Sequence, residues 1–460
     1  MSPRAGTARP RAGTRREAAS WPFSPGDMHN CHLDSRSEPN NVHLEAWLPG
    51  QLSPRRLRAA VSGALADVPR TRVRRQDAAW WRAGYTWQAP PRADIDPVSV
   101  LDWRTAAELD SARAVFLSAP TALDQAPVFR LLLARGPARD CLILSAHHAA
   151  FDGRSCVSLL SLIASHYDGS GRPGPGSPSA ADLAGGGRLA PGQASPEWVP
   201  AWPRTGWRAA RIAPQHGGRP PADSPGFGCV LLAWPEVPAA RRLDGDYRVT
   251  VNDLLIAALG QAVASWNAAR GRPPRPVAVS MPIDTREPWA DGALGNLTRL
   301  STITVDPREA ALTAAVAGQT NRAKGSPGPL LGPALGAAEA APLPATVKRA
   351  LVRLALHAVG PVSCDTTLLS NLGRLADPPR FGDLVPDRMW FSASTHMPRG
   401  LSVGAISVGG RLQLCFRYRR ALLDGAAARE FAAGYAAALA ELTGARPPSG
   451  PADPLAEAGW

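Results

Sequence analysis

A stretch rich in Gly, Pro and Ser, residues 169–224 with Gly185-Gly186-Gly187 inside it, divides the chain into two segments that each carry the pattern of a folded lobe. At 460 residues the chain exceeds what one hydrophobic core usually supports. A linker at this place therefore predicts one lobe over residues 28–168, a second over 225–445 and a tail over 446–460. The two segments share an echo. In the first, a strand over Leu142 to His147 leads through Phe151-Asp152-Gly153 into a helix. In the second, Leu412 to Tyr418 leads through Leu423-Asp424-Gly425 into a helix over Ala426 to Leu442. Asp-Gly is a common turn dipeptide, but the repeated order points to a duplicated unit in which only the first copy holds paired histidines.

The remaining periodicity is that of an α/β protein. Val42 to Leu48, Val128 to Ala134 and Cys141 to His147 read as strands of the first lobe. Ser53 caps a helix from Arg56 to Asp67, and Ser155 opens another that ends near His166. The second lobe opens with a strand over Gly228 to Ala233. Thr250-Val251-Asn252-Asp253 then starts a helix with Leu255, Leu259, Val263 and Trp266 on one stripe. Val277 to Met281 and Leu300 to Val305 follow as strands.

Composition narrows the function classes. The apolar fraction of 45% and charged fraction of 19% are those of a globular chain. Net charge is +13, nearly all of it arginine, since Lys324 and Lys348 are the only lysines. That charge fits an acidic partner such as a phosphorylated cofactor or an acidic carrier protein; it also fits a coding bias toward Ala, Arg, Gly and Pro. The arginines are scattered without a basic stripe or interleaved aromatics, which argues against nucleic acid. Six cysteines without a Cys-x-x-Cys pair read as buried thiols in a reducing compartment, so the expected address is the cytoplasm. No apolar run reaches the 18 or so residues of a membrane span, and no integral membrane association is expected. Residues 1–27 lack an apolar h-region and read as a disordered basic leader, with Met28 an alternative start.

The segment His147-His148-Ala149-Ala150-Phe151-Asp152-Gly153 carries the chemistry. Two histidines, three spacers and Asp-Gly arise by chance on the order of 10⁻³ per chain. At a strand end, side chains alternate, so one imidazole faces a cleft while its neighbour anchors the turn. Asp152 can reach back to a backbone group or an arginine, and Gly153 lets the chain pass where a Cβ would clash. A neutral imidazole takes a proton at physiological pH and returns it to a leaving group. Gly-x-Ser-x-Gly is absent, so direct attack on a bound acyl donor fits better than a covalent acyl-enzyme. Two alternatives stay open: a strand-end pair satisfied by backbone groups, and a zinc site. Adjacent histidines on opposite strand faces are poor joint ligands, and no metal is expected.

This heptad matches the HHxxxDG signature of the condensation-domain and chloramphenicol-acetyltransferase-like acyltransferases, which include nonribosomal peptide condensation domains and wax ester synthases. Ala126 to Leu132, Val251 to Leu255, Pro282-Ile283-Asp284-Thr285-Arg286, Leu294-Gly295-Asn296 and Ser370-Asn371-Leu372-Gly373 resemble further segments of these proteins. The resemblance implies two similar α/β lobes in a V with a tunnel between them, and His148 as the catalytic base. It implies structural roles for His147, Asp152 and Gly153, with Asp152 paired to an arginine of the second lobe, for which Arg286 is the candidate. Ser370, Asn371 and His396 are candidates for lining the tunnel, although a lone His396 also reads as a satisfied loop residue. The donor implied is an acyl group on a phosphopantetheine thioester, on coenzyme A or on an acyl or peptidyl carrier protein, with no permanently bound cofactor. The acceptor is an amine or alcohol, in specialised metabolism such as antibiotic biosynthesis. Two rival functions remain: a wax ester or diacylglycerol type of acyl-CoA acyltransferase, and a non-catalytic scaffold that docks a carrier protein. The Asp-Phe-Gly-Trp-Gly motif of the plant BAHD branch is missing.

Overall fold

Strand after strand in this chain alternates two kinds of side chain, and the alternation builds two sheets with helices on their outer faces and a shared inner layer. A computed structural model describes residues 18–76, 79–170, 209–215, 226–236, 241–242, 248–286, 292–325, 341–358 and 364–445. Most of the 169–224 linker and all of the 446–460 tail lie outside the described residues.

The first sheet contains β2 (Asn41–Leu48), β5 (Val98–Asp102), β6 (Phe129–Arg135), β7 (Asp140–His147) and β14 (Arg388–Ser392) in the order β14-β2-β7-β6-β5. Its even-numbered β2 and β7 positions, Leu44 and Leu142 among them, meet Leu57 of α2 (Pro54–Asp67) and Leu159 of α4 (Gly153–Tyr167) in one core. The second sheet runs β12-β11-β13-β15-β16-β8, from β8 (Phe227–Trp234), β11 (Val277–Asp284), β12 (Thr298–Val305), β13 (Thr367–Arg374), β15 (Leu401–Val408) and β16 (Arg411–Arg419). Against it pack α5 (Val251–Ala268), with Leu255, Leu259, Val263 and Trp266 buried, and α8 (Gly425–Thr443), with Phe431 and Tyr435. Asp253 fixes the start of α5 by accepting from the Thr250 N–H at 2.7 Å and its hydroxyl at 2.8 Å.

The inner faces meet in a third cluster. Trp47, Trp103 and Trp390 of the first half pack on Leu231 and Cys415 of the second. Beneath them Arg113 of α3 (Ala106–Ser118) donates to Glu45 at 2.7 and 2.8 Å, and Trp47 Nε1 donates to Glu45 at 2.7 Å. Both ends of the ion pair are buried and fully hydrogen-bonded, the condition under which a buried charge pair is tolerated.

Three expectations about domain boundaries are corrected. Residues 225–445 do not form one lobe, because β14 pairs antiparallel with β2, from Arg388↔Trp47 to Ser392↔His43. Met389 and Phe391 supply the first core with apolar side chains that β2 and β7 leave uncovered at that edge. Gly404 permits the crossing, since a Cβ there would sit 1.9 Å from the Phe391 carbonyl oxygen. Residues 18–27 are not a disordered leader: β1 (Ala19–Pro22) pairs with β4 (Thr86–Ala89), which also pairs with β3 (Arg74–Gln76). Ser24 then caps α1 (Pro25–Leu33) in a reciprocal box with Asp27. Within the expected linker, Ala209, Ala210, Ile212 and Ala213 are buried, the last three in the second core, because Asn267 and Pro276 accept or donate to their backbone.

The internal echo is geometrically close. Asp152 caps α4 with φ −87°, ψ −178° and accepts from Ser155 N at 2.9 Å; Asp424 caps α8 with φ −86°, ψ −179° and accepts from Ala427 N at 2.8 Å. The cap of α4 is thus Asp152, and Ser155, expected to open the helix, is its third residue.

A chain that begins at Met28 loses β1, the Ser24 cap and the Asp27 carboxylate, leaving Trp87 Nε1 and Asn296 Nδ2 without that partner. It should unfold with a stability lower by at least about 2 kcal/mol, read as a lower midpoint in urea.

Candidate active site

His147 and His148 end β7 and point to opposite sides, as the strand geometry requires. His147 is fully buried; its Nδ1 accepts from Ala149 N at 3.0 Å, and its Nε2 lies 3.6 Å from Asp34 Oδ1. His148 is only half-buried. Its backbone N donates to Asn40 O at 2.8 Å, which fixes the ring's origin beside β2.

The proton on the His148 ring is placed by Asn296. Nδ1 lies 3.2 Å from Asn296 Oδ1, and the Asn296 amide nitrogen donates to Ala149 O at 2.7 Å and Asp27 Oδ1 at 3.1 Å. Those two acceptors orient the amide, so the atom facing His148 is an acceptor and Nδ1 must carry the hydrogen. Nε2 is left with the lone pair and has no hydrogen-bond partner among the described residues. Burial lowers the pKa of the ring, opposed in part by its own carbonyl, by the Asp152 charge and by Asn296. The ring is neutral at physiological pH.

Asp152 and Arg286 meet as a buried pair, Arg286 Nη2 lying 2.8 and 2.9 Å from the two carboxylate oxygens. Asp152 also accepts from Ser155 N and Leu297 N, each at 2.9 Å. Arg286 donates further to Ser155 Oγ at 2.9 Å, Ala293 O at 3.1 Å and Asp284 at 3.0 Å. Burial pushes the Asp152 carboxyl up, but the Arg286 charge and the converging donors outweigh it and hold it below the ordinary carboxylate range. Ser155 Oγ bonds Gly295 at both its carbonyl (2.8 Å) and its N–H (2.9 Å), and Asp152 N donates to Gly295 O at 3.1 Å. The 293–297 segment is thereby fastened to the first turn of α4, and Asn296 is fastened with it.

Gly153 has an ordinary backbone conformation; its requirement is space. A Cβ would lie 2.7 Å from Phe391 Cε2 and 2.8 Å from Leu372 Cδ2. Ser370 shares a face of β13 with Leu368 and Leu372, both packed on the first core, while Leu369 points to the second. Asn371 lies on the opposite face, where its Oδ1 accepts from Gly373 N at 2.8 Å. His396 Nε2 lies 3.3 Å from Asn40 Oδ1, which puts it two residues' contacts from His148, and burial with the nearby Arg417 and Arg399 charges depresses its pKa to about 3. Among the described residues no group of three His, Cys, Asp or Glu side chains forms a metal site.

Sequence reasoning assigned no role to Asn296, Asp27 or Ser155. Asn296 had one signal, its place in Leu294-Gly295-Asn296; Asp27 had only the Ser24-x-x-Asp27 spacing of a capping box.

No protein-family model matches the chain. It is 33% identical over 423 residues to the uncharacterized protein Rv2305 of Mycobacterium tuberculosis strain ATCC 25618 / H37Rv, covering 86% of this chain and 93% of that one. The chain belongs to that protein's family. Its fold is the condensation-domain fold: the first condensation domain of the calcium-dependent antibiotic synthetase, in complex with a substrate analogue, matches 94% of this chain and 99% of its own at a TM-score of 0.60 and 16% identity. The starter condensation domain of rhizomide synthetase, as a mutant in complex with C8-CoA, matches 94% and 96% at 0.59 and 13% identity. The epimerization domain of the third module of tyrocidine synthetase B matches 93% and 98% at 0.56 and 13% identity. One fold thus carries more than one reaction, and chemistry has to be argued from the site. No helix among the described residues is long and apolar enough to cross a membrane.

Asp152→Ala leaves the buried Arg286 guanidinium without its carboxylate and should cost about 3–5 kcal/mol, whereas the joint Asp152→Leu, Arg286→Met change should cost less than either single change; urea unfolding of the three variants reads the difference.

Proposed function

We propose that this condensation-fold protein is an acyltransferase that joins a thioester-bound acyl group to an amine or alcohol, with His148 as general base. One observation supports the reading above the others. Of the two histidines, the one held neutral, with its proton fixed on Nδ1 and its Nε2 lone pair uncommitted, is also the one that is not fully buried.

In this reading the acceptor's N–H or O–H gives its proton to Nε2 as the nucleophile attacks the thioester carbonyl. The tetrahedral adduct collapses, the carbon–sulfur bond breaks, and the imidazolium returns the proton to the departing thiolate. His147 and Asp152 do not take part in proton transfer; His147 anchors the turn and Asp152 holds Arg286 and the 293–297 segment. The donor is a phosphopantetheine thioester, and a CoA thioester is the first to test because a solved neighbour of the same fold holds C8-CoA. A carrier protein is the other form of the same arm. Donor and acceptor meet at His148 between the lobes, with Ser370 on the β13 face turned toward the first core. Specialised metabolism and a cytoplasmic address belong to this reading.

The test is thiol release from a series of acyl-CoA thioesters, with amine and long-chain alcohol acceptors supplied separately. His148→Ala should lower kcat by about 10² to 10⁴ with unchanged thermal stability; full turnover in that variant would remove the assigned base. The active form is the neutral ring, so kcat/KM should fall as pH drops through a value below 6.5, the ordinary imidazole value. Asn296→Asp puts a carboxylate against Nδ1, favours the imidazolium and should move that acid limb upward by about one unit; a limb that stays where it was would disconnect Asn296 from the base.

A further inference from the structure

Half of the twelve large apolar side chains exposed on this protein gather in one place. Helix α7 (Ala345–Ala358) turns Val347, Leu351 and Leu354 outward at helical spacing, 42, 49 and 63% exposed, with Leu343 one turn before them. Beside its first turn stand Trp80 and Trp81, 72 and 64% exposed. The neighbourhood is fixed by two bonds: Ala345 N donates to Arg82 O at 2.8 Å, and Lys348 Nζ to Ala83 O at 3.0 Å. The stripe is therefore not a loosely attached helix, because Ala345, Lys348 and Val352 on the opposite face are buried. Arg349 and Arg353 both donate to Asp34 O, at 3.0 and 2.7 Å, binding the helix to the end of α1.

The charge around this patch has one sign. Helix α7 contains Lys348, Arg349 and Arg353 and no acidic residue, and these three side chains end on backbone carbonyls, which leave their charge unneutralised. Exposed Arg36 and Arg82 stand on the adjoining segments, and the whole chain carries +13. An aliphatic stripe, a tryptophan pair and a basic border form the combination that seats a helix in the headgroup boundary of an anionic bilayer, where indole rings sit at the interface and arginines meet lipid phosphates. A partner recognised by charge alone would leave the tryptophans and leucines in water.

We infer that the protein attaches peripherally to anionic membrane surfaces through α7 and Trp80-Trp81. The inference does not rest on the acyl-transfer reading, and its test involves no catalysis. Asp34, whose carbonyl holds α7, also faces His147 across 3.6 Å, so attachment by this helix brings the signature segment to the lipid side of the molecule.

The full chain is floated with vesicles of phosphatidylcholine containing phosphatidylglycerol, and with vesicles of phosphatidylcholine alone. It should float with the anionic vesicles, less so at high salt. The double variants Leu351→Gln/Leu354→Gln and Trp80→Ser/Trp81→Ser should each lower the partition by at least about tenfold, with far-UV circular dichroism and melting unchanged. Two independent variants keep the test valid if one is destabilised. Absence of flotation, equal flotation on neutral vesicles, or variants that float like the parent would overturn the inference. So would a dimer seen by light scattering that the same substitutions dissolve, which would assign the patch to a second copy of the chain.

Discussion

Everything at the candidate site hangs on the Asp152 carboxylate. It receives Arg286 from the end of β11, Ser155 N from its own helix and Leu297 N from the segment ahead of β12. Four donors on two oxygens make burial of the charge tolerable, and they join a helix of the first sheet to two strands of the second. Loosen this group and the 293–297 segment is free to shift; Asn296 then no longer faces His148, and the ring loses the contact that selects its tautomer. The carboxylate acts two hydrogen bonds away from the imidazole and still controls it.

A second tie repeats the principle deeper between the sheets. Arg417 of β16 is fully buried, donates to Asn41 O at 2.7 Å and lies 3.0 Å from His43 Nδ1. Burial lowers its pKa to about 9, and its charge, after burial, is among the causes that keep His43 and His396 neutral. Asn41 pairs with His147 across β2 and β7, so the second sheet grips the first beside the signature strand. Neutral imidazoles on this side follow from burial plus a surplus of arginine, a local consequence of the composition that the net charge only hinted at.

How much of this the sequence disclosed depended on the range of the interaction. The strands and helices around the heptad were legible because period-two and helical stripes are local, and the Asp-Gly echo survives in the nearly identical backbone angles of Asp152 and Asp424. Arg286 was reachable through a resemblance. By contrast, β14 could not be assigned to the first sheet from residues 388–392 alone, since its partner lies some 340 positions earlier and only register decides the pairing. Asp27 was lost in an Arg- and Pro-rich segment whose composition resembles disorder, although Ser24 and Asp27 build a capping box there. Gly153 illustrates a different limit: a close approach of Phe391 and Leu372, invisible in the local sequence, is what excludes a side chain.

Condensation, epimerization and acyl-CoA-binding domains share this fold, so the architecture carries the family and the imidazole carries the chemistry. The account therefore stands on the state of one ring. Long-range proton–nitrogen correlation spectra of the protein labelled on histidine, with the His148 signals assigned by their loss in His148→Gln, report that state directly. The account predicts a neutral ring at neutral pH with the proton on Nδ1 and an unprotonated Nε2; a proton on Nε2, or an imidazolium, would contradict it.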